Sequence, residues 1–305
     1  MSAADYAPLK EALGDALRLD EPLALHTSFR IGGPADAFAE VRNRAQLDAC
    51  LVFAAERGLP WRIVGAGTNL LVRDAGVRGL VLKLGGDFSA WTLDGGILEA
   101  GAAAPLALLA RRSAEAGWAG LEWAAGIPGT LAGGLVMNAG AHGGELAGVV
   151  RRVELLERGR RVEWSAAECG FGYRNSRLKN AEPGTLVALG AILALTPGDA
   201  GALKAKIAGD LARRKAGQPL EFPNAGCAFR NPPADAAGRL IEACGLKGLR
   251  KGGAEISARH ANFVVNTGGA KASDVTELME TARTAVRERF SVELKDEILV
   301  WGERT

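Results

Sequence analysis

Three stretches of this 305-residue chain carry side chains whose types and spacing could do chemistry. Tyr173-Arg174-Asn175-Ser176 places a permanent cation among an aromatic ring and short polar groups. A guanidinium offers a planar fork of donors, suited to a carboxylate or to an enolate oxygen that gains charge during a reaction, although an arginine in a loop is often only a surface cation. Asn224-Ala-Gly-Cys227-Ala-Phe-Arg230-Asn231-Pro232 sets a thiol beside glycine, then a cation and an amide. Cys227 reads as a proton donor or nucleophile on one view and as an inert buried cysteine on the other. A Cys227/His260 pair has no local hydrolase signature behind it. Lys295-Asp296-Glu297-Ile298 brings a carboxylate to the head of an apolar run, of interest only in combination with the other two. The basic run Arg213-Arg214-Lys215 reads first as a helix C-terminus and second as a diphosphate-binding patch.

Two glycine-rich loops could hold a ligand through the main chain. Gly65-Ala66-Gly67-Thr68-Asn69-Leu70 follows a short apolar strand, as a phosphate-binding turn does, because glycine lets amide groups approach phosphate oxygens closely. It is not the Rossmann fingerprint: the sixth position is Leu70, and a turn and strand follow instead of a long helix. The second, Gly126-Ile127-Pro128-Gly129-Thr130, runs on through Gly133 and Gly134 to Asn138-Ala139-Gly140-Ala-His142-Gly143. Nine glycines fall from Gly120 to Gly148, both ends counted, which sets this segment apart from the rest of the chain. Together the two loops suggest a dinucleotide held by backbone from two sub-domains; a packed loop corner would have a similar composition.

The elements that must position these groups follow from periodicity. Apolar spacing predicts helices over 45–57, 105–116, 201–215 and near 236–244, and strands at 61–64, 80–84, about 152–156, 186–195 and 263–266. Ser273 is the expected N-cap of a helix with Val275, Leu278, Met279, Ala282 and Val286 on one face. A last strand is expected over 297–301. The apolar stretch 121–141 is broken by Pro128 and many glycines and reads as loops rather than as a membrane span. Helices and strands alternate, so the fold class is α+β or α/β.

Composition narrows the function. Thirty-seven Lys and Arg against 35 Asp and Glu leave a net charge of +2, with no electrostatic footprint for nucleic acid or an anionic membrane. Four cysteines (Cys50, Cys169, Cys227, Cys244) form no CxxC pair, and three histidines (His26, His142, His260) lie far apart, so no metal site is expected. The N-terminus, 1–22, lacks the basic and apolar regions of a signal peptide, and a cytoplasmic protein with reduced thiols is expected. The 41 glycines, about 13% of the chain against roughly 7% usually, point to backbone that turns sharply or approaches something closely.

Taken in order, Thr27-Ser-Phe-Arg-Ile-Gly-Gly-Pro-Ala35, Gly65–Leu71, Gly126–Gly134 with Asn138–Gly143, Tyr173–Ser176, Gln218–Pro232, His260–Asn266 and Glu297–Gly302 resemble the UDP-N-acetylenolpyruvoylglucosamine reductase (UDP-N-acetylmuramate dehydrogenase) family. These blocks span nearly the whole chain.

The resemblance implies an α+β protein with a two-subdomain FAD-binding fold of the vanillyl-alcohol-oxidase (PCMH) type and a C-terminal α+β substrate-binding domain. The expected divisions are 1–85 (rejoined in one version by the C-terminal residues), 86–200 and 201–305. It implies NADPH-dependent, FAD-mediated reduction of UDP-N-acetylglucosamine enolpyruvate to UDP-N-acetylmuramate, for peptidoglycan synthesis, by a cytoplasmic monomer. Arg174 and Glu297 would stabilise the enolate and Cys227 would give the proton. Gly65, Ala66, Gly67, Thr68, Asn69, Leu70, Gly126, Ile127, Pro128, Gly129, Thr130, Gly133, Asn138, Ala139, Gly140, His142 and Gly143 would hold the cofactor. Tyr173, Lys215, Arg230 and Asn231 would hold the substrate. Where this chain has Cys227 the family usually has serine; a thiol, with a pKa of about 8.5, is a far better acid than an alcohol. With only Tyr6 and Tyr173 present, the chain resembles the shorter subtype that lacks a tyrosine-bearing loop. The competing expectations are another FAD oxidoreductase of this fold and a non-catalytic protein that binds UDP-sugar and FAD.

Overall fold

The computed structural model describes residues 3–303, so the parts of the terminal readings that touch 1–2 and 304–305 lie outside the described residues. Seven α-helices occur among them: α1 (Ala7–Leu13), α2 (Arg44–Glu56), α3 (Leu106–Glu115), α4 (Leu131–Met137), α5 (Ala200–Gly217), α6 (Ala237–Ala243) and α7 (Ala272–Phe290). None is long and apolar enough to cross a membrane. The chain forms two compact units. One comprises 1–19, 36–66 and 79–213, the other 20–35, 67–78 and 214–305, so the division falls inside α5.

The first unit contains two large sheets. One has the strand order Leu17–Pro22, Pro34–Val41, Val77–Leu84, Trp61–Val64, some of its strand ends being counted with the second unit. Its last two strands are parallel, with Trp61 opposite Leu80. The helix α2 links Pro34–Val41 to Trp61–Val64 and is started by Asn43, whose side chain accepts from Gln46 N at 3.0 Å. Its Leu47, Cys50 and Phe53 are buried with Leu80 and Leu82. The other sheet is antiparallel, in the order Arg160–Ser165, Val150–Glu157, Leu186–Ala194, Ile97–Gly101, Trp91–Asp94. Alternation along the second of these strands turns Val153 and Leu155 into the core, and α3 and α4 add Leu106, Leu109, Leu131 and Leu135.

The stretch 121–141 departs from its loop reading, for it contains a 3₁₀ turn, Glu122–Gly126, and the helix α4. Thr130 starts α4 by accepting from Gly133 N at 3.2 Å, and its apolar face is buried. The glycines that disguise it are packing devices: a Cβ on Gly134 would sit 2.9 Å from a Leu146 methyl.

The second unit centres on an antiparallel sheet, ordered Asn224–Cys227, Phe263–Asn266, Ala254–Ile256, Arg250–Lys251. Its core joins Ile256 and Val264 to the predicted face of α7, where Val275, Leu278, Met279, Ala282 and Val286 are all buried. Two terminal expectations change. The N-cap of α7 is Lys271, not Ser273, because the Asp74 carboxylate accepts from Ala272 N (2.7 Å) and Ser273 N (3.0 Å), satisfying amides that a local cap would otherwise have to reach. The last strand begins at Leu299, running parallel to Leu70–Val72, and leaves Glu297 in the segment before it.

Candidate active site

In the first unit the second glycine loop and the Tyr173–Arg174 turn are built as one piece. Asn138 ends α4 in the left-handed conformation (φ 42°), and its buried side chain is spent on backbone. Its Nδ2 donates to Gly172 O at 3.1 Å and its Oδ1 accepts from Ala147 N at 3.0 Å. Ser176, fully buried, donates to Val136 O at 2.7 Å. These two clamps hold the turn, in which Gly172 and Asn175 exchange N–H···O bonds of 3.0 Å around Tyr173 and Arg174. Arg174 takes φ 53°, its guanidinium lies 5.5 Å from the Tyr173 ring centroid, and Lys179 Nζ donates to its carbonyl at 3.1 Å. Ordinary cap chemistry hid Asn138 and Ser176 as clamps, since their partners are carbonyls more than thirty residues away.

Gly140-Ala141 and Gly144-Glu145 pair across a two-residue turn made by His142 (φ 51°) and Gly143 (φ 84°). His142 Nδ1 lies 3.5 Å from the buried Asp210 carboxylate. Gly65 faces Thr130, whose hydroxyl a Cβ would meet at 2.7 Å, so here the two glycine loops come together. The opening amides of α4 are already committed, Leu131 N to Ala104 O at 2.8 Å and Ala132 N to Ala102 O at 3.0 Å. Any contribution of this segment to a ligand therefore comes from groups other than the amides of Leu131 and Ala132. Ile127 N donates to Ala124 O and Gly129 O accepts from Leu106 N, which fixes the loop around Pro128.

The second unit assembles the other groups. Gly67 takes φ 63° against the His26 carbonyl, where a Cβ does not fit. Ser28 N donates to Gly67 O at 3.1 Å, and Leu299 N donates to Asn69 O at 3.0 Å. Trans peptide geometry then points the Thr68 N–H away from Ser28 and the Leu70 N–H away from Leu299. The half-buried Cys227 lies on the strand opposite Phe263 and follows Gly226 (φ 80°). Glu297 N donates to Ala228 O at 2.8 Å, which places Glu297 beside the residue next to Cys227. Asn69 Nδ2 donates to Glu297 O at 3.2 Å. Asn262, absent from the sequence-level site, is buried and brackets Phe229 on both sides, accepting from its N–H at 2.9 Å and donating to its carbonyl at 2.8 Å.

The expected substrate contacts differ in what their side chains are doing. Arg230 Nε donates to Asp296 O at 3.1 Å, Asn231 Oδ1 accepts from Ala237 N at 3.1 Å at the start of α6, and Lys215 is exposed in the last turn of α5. The adjacent Arg214 is half-buried, and burial pushes its pKa down. Burial also pushes His260 below its ordinary value, and its Nδ1 accepts from Asn262 N at 3.3 Å. Among the described residues no cluster of three or more His, Cys, Asp or Glu could hold a metal ion.

Residues 218–301 match the family model "UDP-N-acetylenolpyruvoylglucosamine reductase, C-terminal domain", and 35–161 match "FAD binding domain". UDP-N-acetylenolpyruvoylglucosamine reductase of Moorella thermoacetica is 47% identical over 304 residues, covering 98% of this chain and 99% of that one. The chain belongs to the UDP-N-acetylenolpyruvoylglucosamine reductase family. UDP-N-acetylenolpyruvoylglucosamine reductase 2 of Symbiobacterium thermophilum is 47% identical over 287 residues, covering 94% and 92% of the two chains. The crystal structure of UDP-N-acetylenolpyruvylglucosamine reductase from Thermus caldophilus superposes with a TM-score of 0.80 at 38% identity, covering 94% of this chain and 98% of that one. The Gly67 turn has the build of a phosphate-binding loop, since a Cβ there would meet the His26 carbonyl and only glycine turns easily at φ 63°.

Proposed function

We propose that this reductase works with Arg174, Cys227 and Glu297 as its catalytic groups. The overall reaction is NADPH-dependent reduction of UDP-N-acetylglucosamine enolpyruvate to UDP-N-acetylmuramate, for peptidoglycan synthesis. When bound and reduced by NADPH, FAD would supply hydride chemistry at the enolpyruvyl β-carbon, and residues of the two glycine loops would hold it. As charge moves onto the carboxylate-bearing side, the Arg174 guanidinium stabilises the enolate, its turn already clamped by Asn138 and Ser176 so that little reorganisation is needed. Glu297 assists by holding the substrate carboxylate in a hydrogen-bonded or protonated arrangement, since two bare carboxylates repel. The Cys227 S–H bond breaks, its proton goes to the α-carbon, and the electron pair stays on sulfur until a proton from solvent restores the thiol. Arg230, Asn231, Tyr173 and Lys215 hold the sugar nucleotide.

The same reading takes the two sheets of the first unit, within 1–85 and 86–200, as the FAD-binding subdomains and 201–305 as the substrate-binding part. It takes the protein as a cytoplasmic monomer, with neither nucleic acid nor membrane as partner. The observation that supports the catalytic assignment most is the hydrogen bond from Glu297 N to Ala228 O, which ties the Glu297 backbone to the residue that follows Cys227. An absorbance spectrum of the purified protein, before and after NADPH and with and without the enolpyruvyl substrate, tests the reading. The flavin band should bleach with NADPH and return only when substrate follows anaerobically. A protein without a flavin band, or one reoxidised only by oxygen, would overturn it.

A further inference from the structure

Ser28 makes a connection that the reading above leaves unused. Its main-chain N–H donates to Gly67 O at 3.1 Å, while its hydroxyl donates to Asn224 O at 2.6 Å. Asn224 opens the strand that ends at Cys227. It also shapes that strand, because its Oδ1 accepts from Gly226 N at 2.9 Å and its Nδ2 donates to Phe222 O at 2.8 Å, so Gly226 takes φ 80° immediately before the thiol. The circuit closes on the other side. Ala228 O accepts from Glu297 N, Glu297 O accepts from Asn69 Nδ2, and Asn69 lies two residues from Gly67. Ser28, the 67–69 loop, the Cys227 strand and the Glu297 segment thus form one ring of hydrogen bonds inside the second unit.

We infer that Ser28 is a positioning residue that sets the Cys227 strand against the 67–70 loop. This rests on Cys227 as the proton donor, and the experiment keeps the two apart. The strand has an irregular register between Asn224 and Cys227. Ladder pairing alone therefore does not fix where Cys227 points, and the hydroxyl of Ser28 supplies the missing restraint. Loss of that restraint shifts the thiol by a fraction of an ångström, and errors near 1 Å in a reacting group cost about 100-fold in rate.

The test uses the FAD-loaded Ser28→Ala protein, Cys227→Ala and the double variant. Stopped flow follows flavin reduction by NADPH and reoxidation by substrate separately, and mass spectrometry follows iodoacetamide alkylation of Cys227 and Cys244 in the native protein. Ser28→Ala is expected to slow reoxidation roughly 10- to 100-fold while flavin reduction stays within about twofold. Its Cys227 alkylation should change with Cys244 unaltered, and adding Ser28→Ala to Cys227→Ala should slow reoxidation no further. Unchanged reoxidation in Ser28→Ala, parallel slowing of both half-reactions, an unaltered Cys227 alkylation rate or full additivity in the double variant would overturn the positioning role. Normal reoxidation by Cys227→Ala itself would instead remove the proton-donor reading.

Discussion

Cys227→Ala removes a proton source but no charge, so NADPH should still bleach the flavin of that variant while product formation drops about 10²- to 10⁴-fold. Cys227→Ser should keep much of the activity, since the hydroxyl occupies the same position. Because the thiol must be protonated to donate, turnover in the wild type should fall as pH rises through the thiol pKa, ordinarily about 8.5. A pH-independent rate between 7 and 10 would count against it. Arg174→Ala should cost about 3–4 kcal/mol in the substrate-reducing step, the loss typical of an oxyanion donor, and leave flavin reduction intact. Both side chains were legible as chemistry in the sequence, but their settings were not. Nothing local marks Asn138 and Ser176 as the clamps of the arginine turn, or Asn262 as the bracket of Phe229, because each bonds to backbone distant in sequence.

At the scale of elements, the helix α7 depends on a residue nearly two hundred positions away. Asp74 caps two of its first amides, so Asp74→Ala should lower unfolding free energy by about 1–2 kcal/mol, measurable as a lower urea midpoint at unchanged m-value. The buried face of α7 was readable from its 3.6-residue period, whereas the cap was not, and the local candidate Ser273 lost to a carboxylate brought in by the fold. The glycine loop behaves similarly. Gly67→Ala must hold a Cβ at φ 63° against the His26 carbonyl, so the purified variant should carry much less FAD than the wild type, read from the ratio of flavin to protein absorbance. The helix α4 escaped periodicity for a related reason: glycine counts as a breaker in a sequence, yet Gly134 is what lets the helix lie against Leu146 and Leu106.

Across the whole molecule, burial decides which groups respond to solvent. Burial pushes the Cys50 thiol up to about 12 and, as the leading cause, the Cys169 thiol to about 11, and both side chains are buried. Under native conditions at pH 8 iodoacetamide should therefore label Cys227 and Cys244 and spare these two until urea unfolds the chain. Burial holds His260 neutral below its ordinary pKa. The unfolded chain takes up a proton near pH 6.5 that the folded one resists, so stability is complete above that pH and falls as pH drops through it. His260→Gln should flatten the change in urea midpoint from pH 7 to pH 5; an equal slope in both proteins would assign it to other groups.

What the sequence determined by itself was the inventory: the ordered blocks that mark the reductase family, the main helix and strand periods, the glycine loops and the candidate thiol, carboxylate and cation. Residue type and short-range spacing carry that information, because periodicity and backbone permissiveness are local properties. The tertiary structure alone decided how those groups are oriented. It made Glu297 the neighbour of Ala228, tied Ser28 to both Gly67 and Asn224, and drew the two units from interleaved pieces of chain. Hydrogen bonds between residues hundreds of positions apart form only once the apolar faces have been buried together, and no local pattern records the partner in advance.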